Sequence, residues 1–196
     1  MPPYARPLTR LLRAAARIAL LAVLTLPSPS RAGSFAAKVV VVVDGDTVVV
    51  RDDRARRHEI RIAGIDAPEI RQPYGVRSRS YLAELLYGRQ VTVAWYKRDR
   101  YNRVLGRVFV TLSEPCGTTL CARPVDAGYA QIAAGLAWHD KEHLDEQPAE
   151  ERLRYGRAEQ EARLRHAGLW AESAPIPPWR YRHLHPRRLS ERMPLR

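Results

Sequence analysis

The hydrophobic positions of this 196-residue chain change period several times along its length. Over residues 37–51 valines dominate, interrupted once by Asp44-Gly45. β-Branched runs on either side of an Asp-Gly pair predict two strand halves joined at a turn or bulge. Residues 58–65 alternate, with Ile60 and Ile62 on one face and Glu59 and Arg61 on the other, which is the period of a half-buried strand. Pro68, in Asp66-Ala-Pro-Glu69, ends that strand. Tyr81, Leu82, Leu85 and Leu86 then recur at helical spacing, with Gly88 as the expected C-terminal cap. Residues 91–96 and 104–112 predict two further strands, joined by a charged loop over 97–102. A short helix is expected from an N-cap at Asp126, turning Tyr129, Ile132 and Ala133 inward and stopping at Gly135. A longer one is expected from about Pro148, with Glu150 and Glu151 in its first turn and Arg163, Arg165 and His166 at its end, charges that suit the helix dipole. Gly168 terminates it and Leu169-Trp170 return to the core.

This order predicts an α+β fold, a small five-stranded barrel with about three flanking helices. Barrels of this kind commonly bind oligonucleotides on one face. The length suits one domain with tails: a leader at 1–32, a domain at 33–172 and a Pro/Arg-rich basic tail at 173–196.

The leader has its own pattern. Arg6, Arg10, Arg13 and Arg17 make a basic start, residues 18–26 (IALLAVLTL) form an apolar run, and Ser30 and Ala32 offer small residues before a cut. That is the layout of a secretory signal peptide, with cleavage expected after Ala32 and a secreted or periplasmic product. The apolar run falls short of the roughly 20 residues of a spanning helix, although an uncleaved anchor shares the same two features. Of the 33 Lys and Arg, five fall in the leader, so 28 face 21 Asp and Glu, a net +7. Such a field concentrates polyanions, but a basic soluble protein with no nucleic-acid partner would carry it too. Cys116 and Cys121 lie in CGTTLC. In an oxidising compartment a structural disulfide is expected there, contributing roughly 2 kcal/mol. A zinc site is not, because no further thiols or paired histidines accompany the two.

Candidate chemistry sits in two acid-rich breaks, Asp44-Gly45-Asp46-Thr47 and the segment RIAGIDAPE at 61–69. Each alone is ordinary turn chemistry. If the two breaks meet, Asp46, Asp66 and Glu69 form a cluster in which carboxylates about 4 Å apart repel by roughly 4 kcal/mol per pair at an effective dielectric of 20. Such a cluster needs a cation or raised pKa values, and all-oxygen ligands favour Ca²⁺ or Mg²⁺. Arg61 and Arg103 are available to meet charge that develops on a phosphoryl group.

Four blocks carry a resemblance over residues 37–172: VVDGDTVVV at 42–50, RIAGIDAPE at 61–69, DRYNR at 99–103, and VDAGYAQIAAGLA at 125–137 with its continuation AEQEARLRHAGLW at 158–170. In these the chain resembles the staphylococcal nuclease family. The resemblance implies an OB-fold-type barrel and a Ca²⁺-dependent nuclease that cleaves DNA and RNA with little sequence preference, leaving 3′-phosphate ends; a monomer is the default expectation, on which the sequence itself is silent. It implies that Asp46 and Asp66 ligate the ion, together with the backbone carbonyl of the next residue, here Ala67 where Thr is usual. It implies Glu69 as general base, Arg61 and Arg103 on the scissile phosphate, and Tyr101 beside the nucleotide. The chain departs from the family at Asn102, where Gly is usual and where Asn suits a left-handed backbone. It departs again at 138–146, WHDKEHLDE, which lacks the family's nucleotide-stacking tyrosines. Trp138 or His143 could substitute there, although Trp138 suits a core position better.

His139 and His143, four apart without a third ligand, do not make a zinc site. The tail from Trp179 onward is either an electrostatic arm or a solvated terminus. Two functions are weighed on this footing. One is a nuclease, and the other is a nucleic-acid-binding barrel that has lost its chemistry. Retention of Asp46, Arg61, Asp66, Glu69 and Arg103 favours the nuclease.

Overall fold

The computed structural model describes residues 33–116 and 119–186. The leader at 1–32, its expected cleavage point and residues 187–196 lie outside the described residues, as do the side chains of Cys116 and Cys121 and with them the expected disulfide. Valine supplies most of the barrel wall. Strands β1 (Gly33–Val42) and β2 (Thr47–Asp52) run antiparallel on either side of Asp44-Gly45, where the sequence predicts a turn. A register shift between Val39 and Val41 puts a bulge in β1, which bends it and tightens its twist. Strand β3 (Arg57–Ile62) pairs with β2 and is followed by a two-residue strand, β4 (Ile65–Asp66). Helix α1 (Gly75–Leu86) comes next. Strand β5 (Gln90–Arg98) returns along β1, and the long β6 (Val104–Cys116) lies along β5. Parallel pairing of β3 with β6, Ile60 beside Val104, closes β1, β2, β3, β5 and β6 into a five-stranded barrel.

Val39, Val48, Val50, Ile60, Val93 and Val108 are fully buried inside it. β-Branched side chains pack well on a pleated surface, and removing them from water is the main favourable term in folding. The α+β barrel read from the sequence is therefore the fold observed. A strand the pattern did not predict, β7 (Thr119–Asp126), adds to β6 at the end of the sheet order. Its sequence lacks alternation and contains Pro124, and proline belongs on an edge strand, where its missing N–H breaks no ladder bond.

The predicted helices follow as α2 (Ala127–Ala133) and α3 (Ala149–Leu164). Asp126 caps α2 by accepting from the backbone N–H of Gly128 and Tyr129, at 3.0 and 3.2 Å. The same carboxylate accepts from the hydroxyl of fully buried Tyr155 at 2.9 Å and pairs with Arg154, both on α3. Burial, reinforced by Asp126, pushes the Tyr155 phenol up. Trp138, Ala162, Leu169 and Trp170 make a second apolar cluster. Trp138 packs edge-on to Trp170, ring centroids 4.4 Å apart, so it is a core residue rather than an open stacking surface. A fourth helix, α4 (Pro178–Leu184), lies in the stretch read from the sequence as a tail. At seven residues it is too short to show a periodicity. Among the described residues no helix is long and apolar enough to cross a membrane.

Candidate functional site

Both acid-rich breaks are shaped by close approach. In the first, the Asp46 N–H donates to Asp44 Oδ1 at 3.0 Å and the Val43 N–H to the Thr47 carbonyl at 2.9 Å, closing a tight turn. A Cβ on Gly45 would fall 1.9 Å from Ser78 Oγ and 2.7 Å from Ala67 Cβ. Only glycine lets α1 and the second break close on this turn. Gln131 of α2, fully buried, reaches across to donate to the Gly45 carbonyl at 2.6 Å and the Ser78 carbonyl at 3.0 Å. Gln131 is not among the candidates drawn from the sequence. Its signal was a polar residue four positions after Ala127, on the buried face of a helix.

The second break is held from three sides. The Ala67 N–H donates to Asp46 Oδ2 at 2.7 Å, and the Ile62 N–H to the Asp46 carbonyl at 2.7 Å. Strand β4 pairs with β8 (Trp138–His139), placing Asp66 opposite Trp138. Glu69 is positioned by its N–H, which donates to Gln72 Oε1 at 3.2 Å. The chain then turns so tightly that a Cβ on Gly75 would lie 1.9 Å from the Glu69 carbonyl oxygen.

Arg61 joins the two breaks. Its Nη1 lies 3.0 Å from Asp46 Oδ1 and its Nη2 3.1 Å from Asp66 Oδ1. Burial pushes the Asp46 carboxyl well above the ordinary carboxylate range; Arg61 pulls it back, while Asp44 and Asp66 push it further. Glu69 joins the group through a second arginine. Arg182 of α4 sets Nη2 2.8 Å from Asp66 Oδ2 and Nη1 3.1 Å from both Asp66 Oδ1 and Glu69 Oε1. Burial alone would lower both guanidinium groups, but the facing carboxylates overcome it and hold Arg61 and Arg182 above the usual arginine value. No sequence signal marked Arg182, which is one of several arginines in a segment without period.

The other two candidates stand on the β5–β6 loop. Asp99 accepts from the N–H groups of Tyr101 and Arg103, at 2.8 and 3.0 Å, and from Arg103 Nε at 2.7 Å. Asn102 has φ 63°, the left-handed conformation expected of it. Tyr101 is exposed, with the Arg103 guanidinium 5.5 Å from its ring centre. The β3–β6 pairing sets Val104 beside Ile60, so Arg103 and Arg61 begin from neighbouring strands.

Asp46, Arg61, Asp66 and Glu69 are thus brought together, with Ala67 abutting Asp46. Among the described residues no group of three or more His, Cys, Asp or Glu side chains is arranged to hold an ion. The side-chain donors that converge, the carboxylates of Asp46 and Asp66, are all oxygen, a chemistry suited to a hard divalent cation completed by water, whereas Ala67 meets Asp46 through its N–H. A guanidinium already lies on the Asp66 and Glu69 carboxylates, so the face attracts cations. The histidines lie apart: His139 is buried on Gln147 and His143 sits at the surface on Asp140.

Residues 59–172 match a family model described as "Staphylococcal nuclease homologue". An "Uncharacterized endonuclease" of Escherichia coli is 38% identical over 74% of this chain and 84% of its own length. "Protein ParB" of Escherichia coli is 37% identical over 88% of this chain and 90% of its own. A "Micrococcal nuclease" of Shigella flexneri is 34% identical over 86% of this chain and 92% of its own.

Proposed function

This chain belongs to the staphylococcal nuclease family, and from that premise we propose that it is an exported, Ca²⁺-dependent nuclease cleaving DNA and RNA. The observation that carries the reading is Arg61 bridging Asp46 and Asp66, carboxylates from separate chain breaks that only the fold brings together.

In this reading Asp46, Asp66 and the Ala67 carbonyl hold the ion. A bound ion would offset negative charge on the phosphate and order the attacking water. Glu69 takes a proton from the attacking water. Arg61 and Arg103 meet the charge that grows on the phosphoryl oxygens, a role suited to the planar, permanently charged guanidinium. Tyr101 lines the nucleotide beside Arg103. With no base-reading groups among these residues, sequence preference is low, and 3′-phosphate ends are the expected products. The apolar leader and its small residues before Gly33 support a secreted or periplasmic location.

The test is incubation of the purified protein with single- and double-stranded DNA and with RNA, in Ca²⁺ and in chelator, beside Glu69→Gln. Cleavage that requires Ca²⁺ and collapses in Glu69→Gln is the expected result. Binding without cleavage in every condition would overturn it and leave a nucleic-acid-binding barrel.

A further inference from the structure

Helix α4 is docked on the acid face, and its anchors are specific. Gln72, which fixes Glu69 through the backbone, also donates to the Ile176 carbonyl at 2.5 Å. The Tyr181 hydroxyl donates to the Arg71 carbonyl at 3.1 Å, and Trp179 packs edge-on to Trp138 with ring centroids 5.4 Å apart. These contacts deliver the Arg182 guanidinium to both oxygens of Asp66 and one of Glu69.

We infer that Arg182 is a tethered counter-cation of the metal site: it holds the Asp66 and Glu69 carboxylates in the absence of a divalent ion, and ion binding expels it, so that α4 sets the affinity of the site for its metal. The inference rests on the reading of Asp46 and Asp66 as ligands of a divalent ion. Its physical ground is that both Asp66 oxygens already face cations, Oδ1 between Arg61 and Arg182 and Oδ2 on Arg182 alone. A doubly charged ion brought onto the same oxygens would sit at contact distance from a guanidinium, and like charges at that range repel strongly. Arg61 is walled in, with a side chain only 17% exposed, whereas Arg182 is 45% exposed and stands on a short helix. Arg182 is therefore the group that can leave.

Calorimetric titration of the full chain with Ca²⁺, without substrate, tests this. Arg182→Gln is expected to bind Ca²⁺ about five- to tenfold more tightly, the scale of one partly exposed charge-assisted pair. Arg182→Lys should fall between it and the unaltered protein, because a lysine competes without the bidentate fit. Arg180→Gln, the same charge change on the same helix, should stay within about twofold, since an exposed charge off the site is screened. In the unaltered protein Ca²⁺ should also change the tryptophan emission as Trp179 leaves Trp138, and Trp179→Phe should abolish that change. Equal or weaker binding by Arg182→Gln would overturn the inference while leaving the nuclease reading in place. Absence of Ca²⁺ binding in both proteins would remove the metal assignment and the inference with it.

Discussion

The side-chain amide of Gln131 donates to the Gly45 carbonyl at 2.6 Å, linking the second helix to the turn that carries Asp46. Gln131 also holds the Ser78 carbonyl of α1, so one buried amide sets the spacing between two helices and the first acidic loop. Replacing it with leucine leaves two buried carbonyls without this donor. We expect Gln131→Leu to cost about 1–3 kcal/mol, the penalty for stranding buried polar groups, and to weaken Ca²⁺ binding. Denaturant unfolding in chelator and in Ca²⁺ separates the two effects. Unchanged stability would mean the amide is not a structural tie.

The two phosphate-facing arginines should differ in what else they lose. Arg61→Ala and Arg103→Ala are each expected to lower turnover at least about a hundredfold, by analogy with removing one oxyanion donor. Of the two, only Arg61 pairs with buried acids. Arg61→Ala should therefore also destabilise the metal-free protein by about 3 kcal/mol, the low end for breaking a buried pair because Arg182 still faces Asp66. Arg103→Ala should melt close to the parent. Wild-type turnover in both variants would refute the assignment.

Gly75→Ala should reverse the usual sign of a glycine-to-alanine change in a helix. Alanine ordinarily stabilises a helical position, but here its Cβ would fall 1.9 Å from the Glu69 carbonyl. A loss of about 1–3 kcal/mol is expected from the forced shift, together with a fall in kcat as Glu69 moves, with helix content by circular dichroism retained. A variant more stable than the parent would show that the loop relaxes freely.

Asp52 offers a pH test away from the site. Its carboxyl lies well below the ordinary range, first through His58 and then through Arg56. A depressed folded-state value contributes stability that is complete above the unfolded value of about 4 and fades as pH falls through the folded value. The melting-temperature gap between the parent and Asp52→Asn should be full at pH 5 and shrink below about pH 4. A gap independent of pH would show that Asp52 acts only through neutral hydrogen bonds.

What the sequence made legible was local. The Asp44-Gly45 turn, the Asp126 cap, the left-handed Asn102 and the valine strands each follow from a few neighbouring residues whose backbone chemistry admits little else. The convergence of Asp46 on Asp66 could be inferred only through resemblance, because no spacing reports a contact between separate breaks. Strand β7 was hidden by Pro124 and a missing alternation. The β4–β8 pairing at Asp66 and Trp138 is two residues long, too short for any period. Arg182 lay among arginines that read as solvated charge, and what singles it out is the docking of Trp179 and Tyr181 beside it.

Asp126 ends the β6–β7 hairpin, caps α2 and receives both Arg154 and Tyr155 from α3. Barrel sheet and helices consequently share one carboxylate, which couples the melting of the two layers. Heating should give a single calorimetric transition, with the van't Hoff and measured enthalpies in agreement. A chain emerging from its synthesis would stay protease-sensitive until α3 has followed the barrel out.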